Sequence, residues 1–589
     1  VNARGTRPVR VANCSGFYGD RASALAEVVR GGPVDVVTGD YLAEVTMLVL
    51  AKARLKDPDA GYARTFLAQL DPVLEEIAER GIKVVVNAGG LNPAGLAAAT
   101  RELLARRGVD LAVAYVDGDD VTGRTDLVHL RTGAPLAAWG HEPLTANAYL
   151  GGFGVARALA GGADVVVTGR VADASVVSGA AAWWWDWTPA DLDALAGAVA
   201  AGHVIECGTQ ATGGNFSGFR DVPGLERPGF PLAEIDADGA AVITKHPGTG
   251  GAVTRDTVTA QLLYEIGDPA YLNPDVVAHL DALALDDLGG DRVRISGTRG
   301  SAPPATTKVA VTALGGWRNS GTFLLTGLDA DAKADLVERT VRARLADVPG
   351  ITDLTFTGLG VPAADPATQG DGTRLLHVAA QGTEKAAGRA FSGMLVEMAL
   401  ATYPGCHSMA PPGRGGSYGL YWPGLVGQAS LRHRVVHADG REETVPAPVP
   451  GPVPATAAAE PPPVPAGPTV RVPLGRIAHA RSGDKGGDAN VGVWTSAAAY
   501  DWLRAALTVA ELRRLLPEAA ELDIERHELP RLNAVNFLIR GLLDEGATST
   551  SRFDKQAKAL GEWLRARVLD VPERLLPGAD RDIGDRPLR

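Results

Sequence analysis

The chain has 589 residues, 46% of them hydrophobic, which is too long for a single core and predicts about three domains that fold without disulfide or metal staples. A formal net charge of −12 excludes a general nucleic-acid binder, and three widely spaced cysteines, Cys14, Cys207 and Cys406, exclude a disulfide framework and a thiolate zinc site. The start of the sequence lacks the apolar core of a signal peptide, and no uninterrupted apolar run is long enough to cross a bilayer, so a cytoplasmic protein without a membrane partner is expected.

From Val9 to about Ala180 a short β-branched run, a turn rich in Gly, Asp or Asn, and a helix-period segment alternate repeatedly. The runs Val9–Val11, Val34–Val37, Lys83–Val86, Leu111–Tyr115 and Asp164–Val167 read as parallel strands joined by helical crossovers, a Rossmann-like α/β core. Helices are predicted over Arg21–Arg30, Val73–Arg80, Pro93–Arg107 and Leu150–Ala160. The residues that follow the strands are polar: Cys14–Asp20, then Asp40, then Asn87, Gly89 and Gly90, then Asp117, Asp119 and Asp120, then Arg170. In an open parallel sheet these gather at the carboxyl edge, where ligands bind, although Gly and Asp also simply make turns. Gly152-Phe153-Gly154 begins like a dinucleotide fingerprint but has Arg157 where the third glycine belongs, so no NAD site is predicted. There is no phosphate-binding P-loop. No His-rich metal motif is read either, and the acids Asp117, Asp119 and Asp120, which could hold Mg²⁺, are better suited to capping the next helix or turn.

Trp183, Trp184, Trp185 and Trp187 crowd one segment, which suits an apolar channel, core packing or a subunit interface and suggests a homo-oligomer. The stretch His203–Phe219, HVIECGTQATGGNFSGF, then reads as a short strand, Val204–Ile205, that ends in a polar glycine loop. Glu206 and Cys207 stand at its mouth; Gly208, Thr209, Gly213, Gly214 and Asn215 offer backbone donors and orienting side chains. Cys207 is either a nucleophile activated by those donors or a small buried hydrophobe. A second glycine-rich stretch, Lys245–Gly251, carries a cation and an imidazole, so His246 is the first choice for general acid–base work and Lys245 for pairing with an anion; an ordinary turn is the other reading.

After Asp291 the texture changes to alternating strands, VRISGT, KVAVTAL and TFLLTG, with helices at Asp331–Leu345 and Glu384–Tyr403. Ten prolines between Pro446 and Pro468 make an extended linker. Beyond it, strand-like runs flank Arg481, Ser482 and Lys485 in a Gly-rich turn suited to an anion, and a last helix is predicted over Asp554–Val568. The predicted layout is an α/β core at 9–285, an α+β unit at 286–445, the linker at 446–468 and a small α+β domain at 469–575.

The motifs GFYGDR, TGDYLAEVTM, VNAGGLNP, VTGRVADAS, IECGTQATGGNF, KHPGTGGAVT and SGTRGSAPP, in this order, resemble the acyclic terpene utilisation (AtuA-type) family. RIAHARSGDKGGDANVGVW resembles the ferredoxin-like domain fused to that family's core. The resemblance implies a role in branched acyl-CoA breakdown, with a carbon–carbon lyase step on a β-hydroxyglutaryl-type thioester. Such a retro-aldol cleavage needs a base and donors for the enolate oxygen, which the residues assign to His246 and to the N–H groups of Gly208–Gly214. Arg170, Lys245, Arg481 and Lys485 would bind a carboxylate or the phosphates of CoA, which enters as part of the substrate; no separate cofactor is required. A hydrolase or acyl transferase built on Cys207, and a non-catalytic acyl-CoA-binding or pathway-assembly protein, are the alternatives.

Overall fold

The computed structural model describes residues 4–453 and 460–576, so the middle of the proline-rich linker, 454–459, lies outside the described residues. Five strands, β1 (Val9–Asn13), β2 (Val36–Gly39), β3 (Lys83–Val86), β4 (Val113–Asp117) and β5 (Val165–Thr168), run parallel in the order β1-β2-β3-β5-β4. Their continuous valine runs fit a sheet covered on both faces by helices: Val84–Val86 and Val165–Val167 are wholly buried.

The sheet is mixed rather than parallel throughout. Pro231–Ile235 pairs antiparallel with β1 and continues outward through Ala241–Lys245, Val293–Ser296 and Ala284–Asp287; Arg434–Val436 and Glu442–Thr444 pair antiparallel beyond β4. The reason is connection length. Only Asp236–Ala240 separates the first two flanking strands, too little for the crossover that a parallel pair requires.

Four local expectations change. Val204 and Ile205 are not a strand but the last turn of the helix Leu192–Ile205, because an alanine-rich run buried on every side from Ala194 onward outweighs two β-branched residues at its end. KVAVTAL and TFLLTG are one strand, β6 (Thr306–Thr326), which shifts register against Gly416–Gly427 between Leu314 and Gly316; Gly316, at φ +144, lets the strand bend without breaking. The last helix spans Leu560–Ala566, and Val568–Pro572 is instead a strand paired with Thr469–Pro473. The Glu384–Tyr403 helix likewise opens with a wide turn, Glu384–Ala390, and its regular part ends at Met398.

A second, antiparallel sheet is built around β6, and a third contains the hairpin β7 (Ala478–Lys485) and β8 (Asp488–Thr495) with Ile524–Leu529 and Ala534–Ile539. The tryptophan cluster is spent inside the chain: Trp184, Trp185 and Trp187 donate their indole N–H groups to the carbonyls of Arg7, Ile235 and Ala237. No helix among the described residues is long and apolar enough to cross a membrane.

Candidate functional site

The carboxyl edge of β1, β2 and β5 opens into a cavity of about 1400 Å³ that is also walled by the sheet around β6, by the β7–β8 hairpin and by the strand Ala270–Leu272. Gly16–Gly19 follow β1, Asp40 follows β2, and Arg170 and Asp173 follow β5; Glu206, Cys207 and Gln210 enter from the end of the helix Leu192–Ile205. Lys308 and Tyr421 come from the second sheet, Asp484–Asp488 from the β7–β8 turn, and Lys558 from the C-terminal unit. Phe17, Val45, Val49 and Leu130 add apolar surface.

At its base three carboxylates converge. Asp40, Asp173 and Glu206 each bring an oxygen within 4.8 Å of the other two. Asp40 is fixed by Asn87, whose Nδ2 donates to Asp40 Oδ1 at 2.5 Å while its own Oδ1 accepts from Tyr41 N at 2.7 Å. Asp173 pairs with Arg170 at 2.8 Å, and Arg170 is held in turn by Leu42 O at 2.9 Å and by the face of Tyr149 at 4.2 Å. Glu206 Oε1 lies 3.2 Å from His203 Nδ1, one helical turn back. Burial, reinforced by Asp173, holds the carboxyls of Asp40 and Glu206 well above the usual carboxylate range. Burial and nearby Lys485 push His203 down to about 4, so it backs Glu206 as a neutral ring.

Around this base lie ammonium groups and further acids. Lys308 Nζ sits over the rings of Tyr149 and Tyr421, and Lys558 Nζ lies 3.3 Å from Glu265 and 3.6 Å from Asp484. Burial, with Asp484 adding to it, raises Glu265 to about 8; burial, with Glu44 adding to it, raises Asp484 to about 7; burial lowers Lys558 to about 8. Burial and like charges thus displace several groups of one pocket toward neutral pH, a pattern that functional sites share with buried ion-pair networks.

The C-terminal unit forms part of this wall. Asn490, on β8, accepts from Glu265 N at 2.9 Å and donates to Leu263 O at 2.7 Å, while Asn536 donates to Gly267 O at 2.9 Å. Lys485 Nζ donates to Glu265 O at 2.7 Å. Together they hold the Leu263–Gly267 turn, including the left-handed Glu265 at φ +54, against the cavity.

The predicted residues fall into three groups. Asp40, Arg170, Glu206, Cys207 and Lys485 line the cavity. Asn87, Gly89, Gly90, Arg481 and Ser482 act behind it. A Cβ on Gly89 would stand 2.4 Å from Thr168 O, and one on Gly90 2.4 Å from Leu50, so these glycines permit close packing. Arg481 stacks on Tyr264 at 4.2 Å and bonds Gln210 Oε1 and Asn215 O, and Ser482 donates to Ala557 O inside the C-terminal unit. Gly208, Thr209, Gly213 and Gly214 shape a 3₁₀ turn in which several donors are engaged within the turn: Gln210 N bonds Cys207 O, Gly213 N bonds Gln210 O, and Gly214 N bonds Thr209 O.

The third group, Lys245 and His246, lies away from the cavity. Lys245 Nζ donates to Thr249 O at 2.7 Å and pairs with Asp291 at 3.0 Å; His246 Nε2 lies 2.9 Å from Val28 O, its ring wedged against Gly31 and Gly32. Of the acids read as turn caps, Asp117 pairs with Arg434, Asp120 accepts from Thr122 N, and Asp119 holds Arg170 N at 2.9 Å. Asp173, Glu265, Lys308, Asp484 and Lys558 were not singled out in the sequence. Asp173 alone had a visible signal, its place three residues after Arg170.

An α/β core whose carboxylate-lined cavity is walled by a separate C-terminal α+β unit defines a two-part class of protein. This chain belongs to the acyclic terpene utilisation family: residues 9–437 match the acyclic terpene utilisation family protein AtuA, and residues 472–570 match the AtuA ferredoxin-like domain. No curated protein and no solved structure matches the chain.

Proposed function

We propose that this protein is an acyl-CoA-processing enzyme, a carbon–carbon lyase that cleaves a branched β-hydroxyacyl thioester of the hydroxyglutaryl type. The observation that carries the reading is the convergence of Asp40, Asp173 and Glu206 at the base of a cavity also lined by Lys308, Lys485 and Lys558. At about 1400 Å³ the space exceeds what a small metabolite needs and suits a thioester with its carrier. Phe17, at 55% exposure, with Val45 and Val49 gives the branched acyl chain an apolar rest.

In the proposed reaction Glu206 takes the proton of the substrate's C3 hydroxyl. The C2–C3 bond breaks, C3 becomes a ketone, and the bonding pair passes into the thioester enolate. The enolate takes at C2 the proton that Glu206 carries, which restores the carboxylate, and leaves as a shorter acyl thioester. A carboxylate whose burial holds its carboxyl well above the usual range is a stronger base, when ionised, than an exposed one, and the lysine ammonium groups favour the developing enolate oxygen and a terminal carboxylate. This assigns the base to Glu206 rather than His246, whose ring nitrogen is engaged with Val28 O.

A Cys207 thioester mechanism is disfavoured by the electrostatics. Burial and the neighbouring Glu206 and Glu265 push the Cys207 thiol well above its usual value, against formation of the thiolate. The two chemistries separate in one experiment: the protein is incubated with a panel of branched β-hydroxyacyl-CoA esters, and both the products and the intact protein are weighed. The lyase predicts two carbon fragments, no acylated protein, and product retained by Cys207→Ala. A covalent acyl adduct lost with Cys207→Ala would contradict it.

A further inference from the structure

We propose that Asp40, Asp173 and Glu206 form a binding site for one divalent cation of the magnesium or manganese class. The inference concerns the same cavity but stands on binding geometry, independently of the reaction assigned above.

Three observations carry it. The three carboxylates offer oxygens within 4.8 Å of one another, and a hard cation with metal–oxygen distances of about 2.1–2.5 Å spans oxygens up to roughly 4–5 Å apart. Glu206 is 4% exposed, and its Oε2 has no hydrogen-bond partner among the described residues although the side chain lines the cavity. A buried carboxylate oxygen left without a donor costs stability, and a cation or a proton must meet that cost. Finally, the charges do not balance within the cluster. Arg170 is paired with Asp173, and Lys485 is an ammonium that acts on Asp173 and Glu206, so the three carboxylates outnumber these two cations and a bound cation relieves the excess.

The surrounding side chains fit this role. Asn87 fixes Asp40 through Nδ2, Arg170 fixes Asp173, and His203 stands behind Glu206 Oε1, so each ligand is oriented by a second residue. All three donors are hard oxygens, and no cysteine or histidine among the described residues is grouped with them, which selects for a hard ion such as magnesium or manganese over zinc or copper. Asp40, Asp173 and Glu206 come from TGDYLAEV, GRVADAS and IECGT, three motifs more than 30 residues apart that look like separate turns in the sequence.

The test is titration of the full, chelator-treated chain with Mn²⁺, followed by electron paramagnetic resonance of the free ion and by calorimetry. The expected result is one site per chain tighter than about 1 mM, competed by Mg²⁺ and weakened at least about tenfold by Asp173→Asn and by Glu206→Gln. Circular dichroism verifies that each variant is folded, and the wild-type titration decides the matter if neither is. Absence of saturable binding in the wild type, or unchanged affinity in a folded variant, overturns the inference. Saturable binding by a chain that cleaves no thioester would uphold the cation site and remove the lyase. Cleavage by a chelated chain that binds no Mn²⁺ would do the reverse.

Discussion

Two glycine-rich stretches, Glu206–Gly218 and Lys245–Gly251, look alike in sequence and do opposite things in the fold. Each follows a buried apolar run and sets reactive side chains among glycines. Around Lys245 the polar groups close on one another: the ammonium meets Thr249 O and Asp291, and the imidazole meets Val28 O. At the start of the other stretch the neighbours crowd like charges together, and Glu206 Oε2 is left without a partner. Glycine marks close approach in both places. What distinguishes a site is polar capacity that the fold itself leaves unsatisfied.

The sharpest way to break this contrast is to neutralise one residue in each stretch. Glu206→Gln should lower kcat/KM for thioester cleavage by about 10²–10⁴-fold, the range for loss of a general base, while Lys245→Met should leave it within a few-fold. Steady-state product assays check both.

Paired glycine substitutions sharpen it further. A Cβ on Gly31 would stand 2.5 Å from the His246 ring, and one on Gly16 2.6 Å from the Cys207 backbone. Gly31→Ala is therefore expected to cost about 1–3 kcal/mol of stability in urea unfolding with little change in turnover. Gly16→Ala must displace the loop that carries Glu206 and Cys207, and should reduce turnover as well as stability.

A smaller effect concerns the C-terminal unit's grip on the cavity. Asn490→Ala removes the partners of the part-buried Glu265 N and the buried Leu263 O, and is expected to destabilise the chain by about 1–3 kcal/mol and to raise KM. Denaturant unfolding and substrate titration read the two consequences separately.

The smallest expected effect is on pH dependence. Glu265 rises to about 8 and Asp484 to about 7, so the folded chain holds more protons than the unfolded one between the ordinary carboxyl range and these values. Their contribution is fully present below the unfolded values and is lost as pH rises through 7 to 8. His203, lowered to about 4, acts in the opposite sense only below its ordinary value. In chelator, the urea midpoint should therefore fall from pH 6.5 to 8, and Glu265→Gln should flatten that slope.

Much of the core was legible because valine runs and glycine or asparagine turns report local structure. Pro93–Arg107 is a helix with the predicted bounds, capped by Asn92, whose Oδ1 accepts from Gly95 N at 2.9 Å. The strand-end loops of β1, β2 and β5 do meet, as parallel topology requires. What could not be read was which polar residue of each loop points inward. Asn87 and Arg481 position other groups, whereas Asp173, an unremarked acid, completes the carboxylate cluster. Lys308 and Lys558 reach the cavity only because separate sheets close over it, and no local pattern encodes that docking. The β-branched pair Val204–Ile205 reads as a strand although it ends a helix, which conceals the one-turn spacing of His203 and Glu206.

The central claim, that chemistry is done by the carboxylates at the cavity base, is tested most directly by mass spectrometry of the fragments formed from one branched β-hydroxyacyl-CoA by wild type, Glu206→Gln and His246→Gln. The predicted result is cleavage by wild type and His246→Gln and none above background by Glu206→Gln. Cleavage that persists in folded Glu206→Gln but vanishes in folded His246→Gln would contradict the account and return the base to the Lys245–Gly251 stretch.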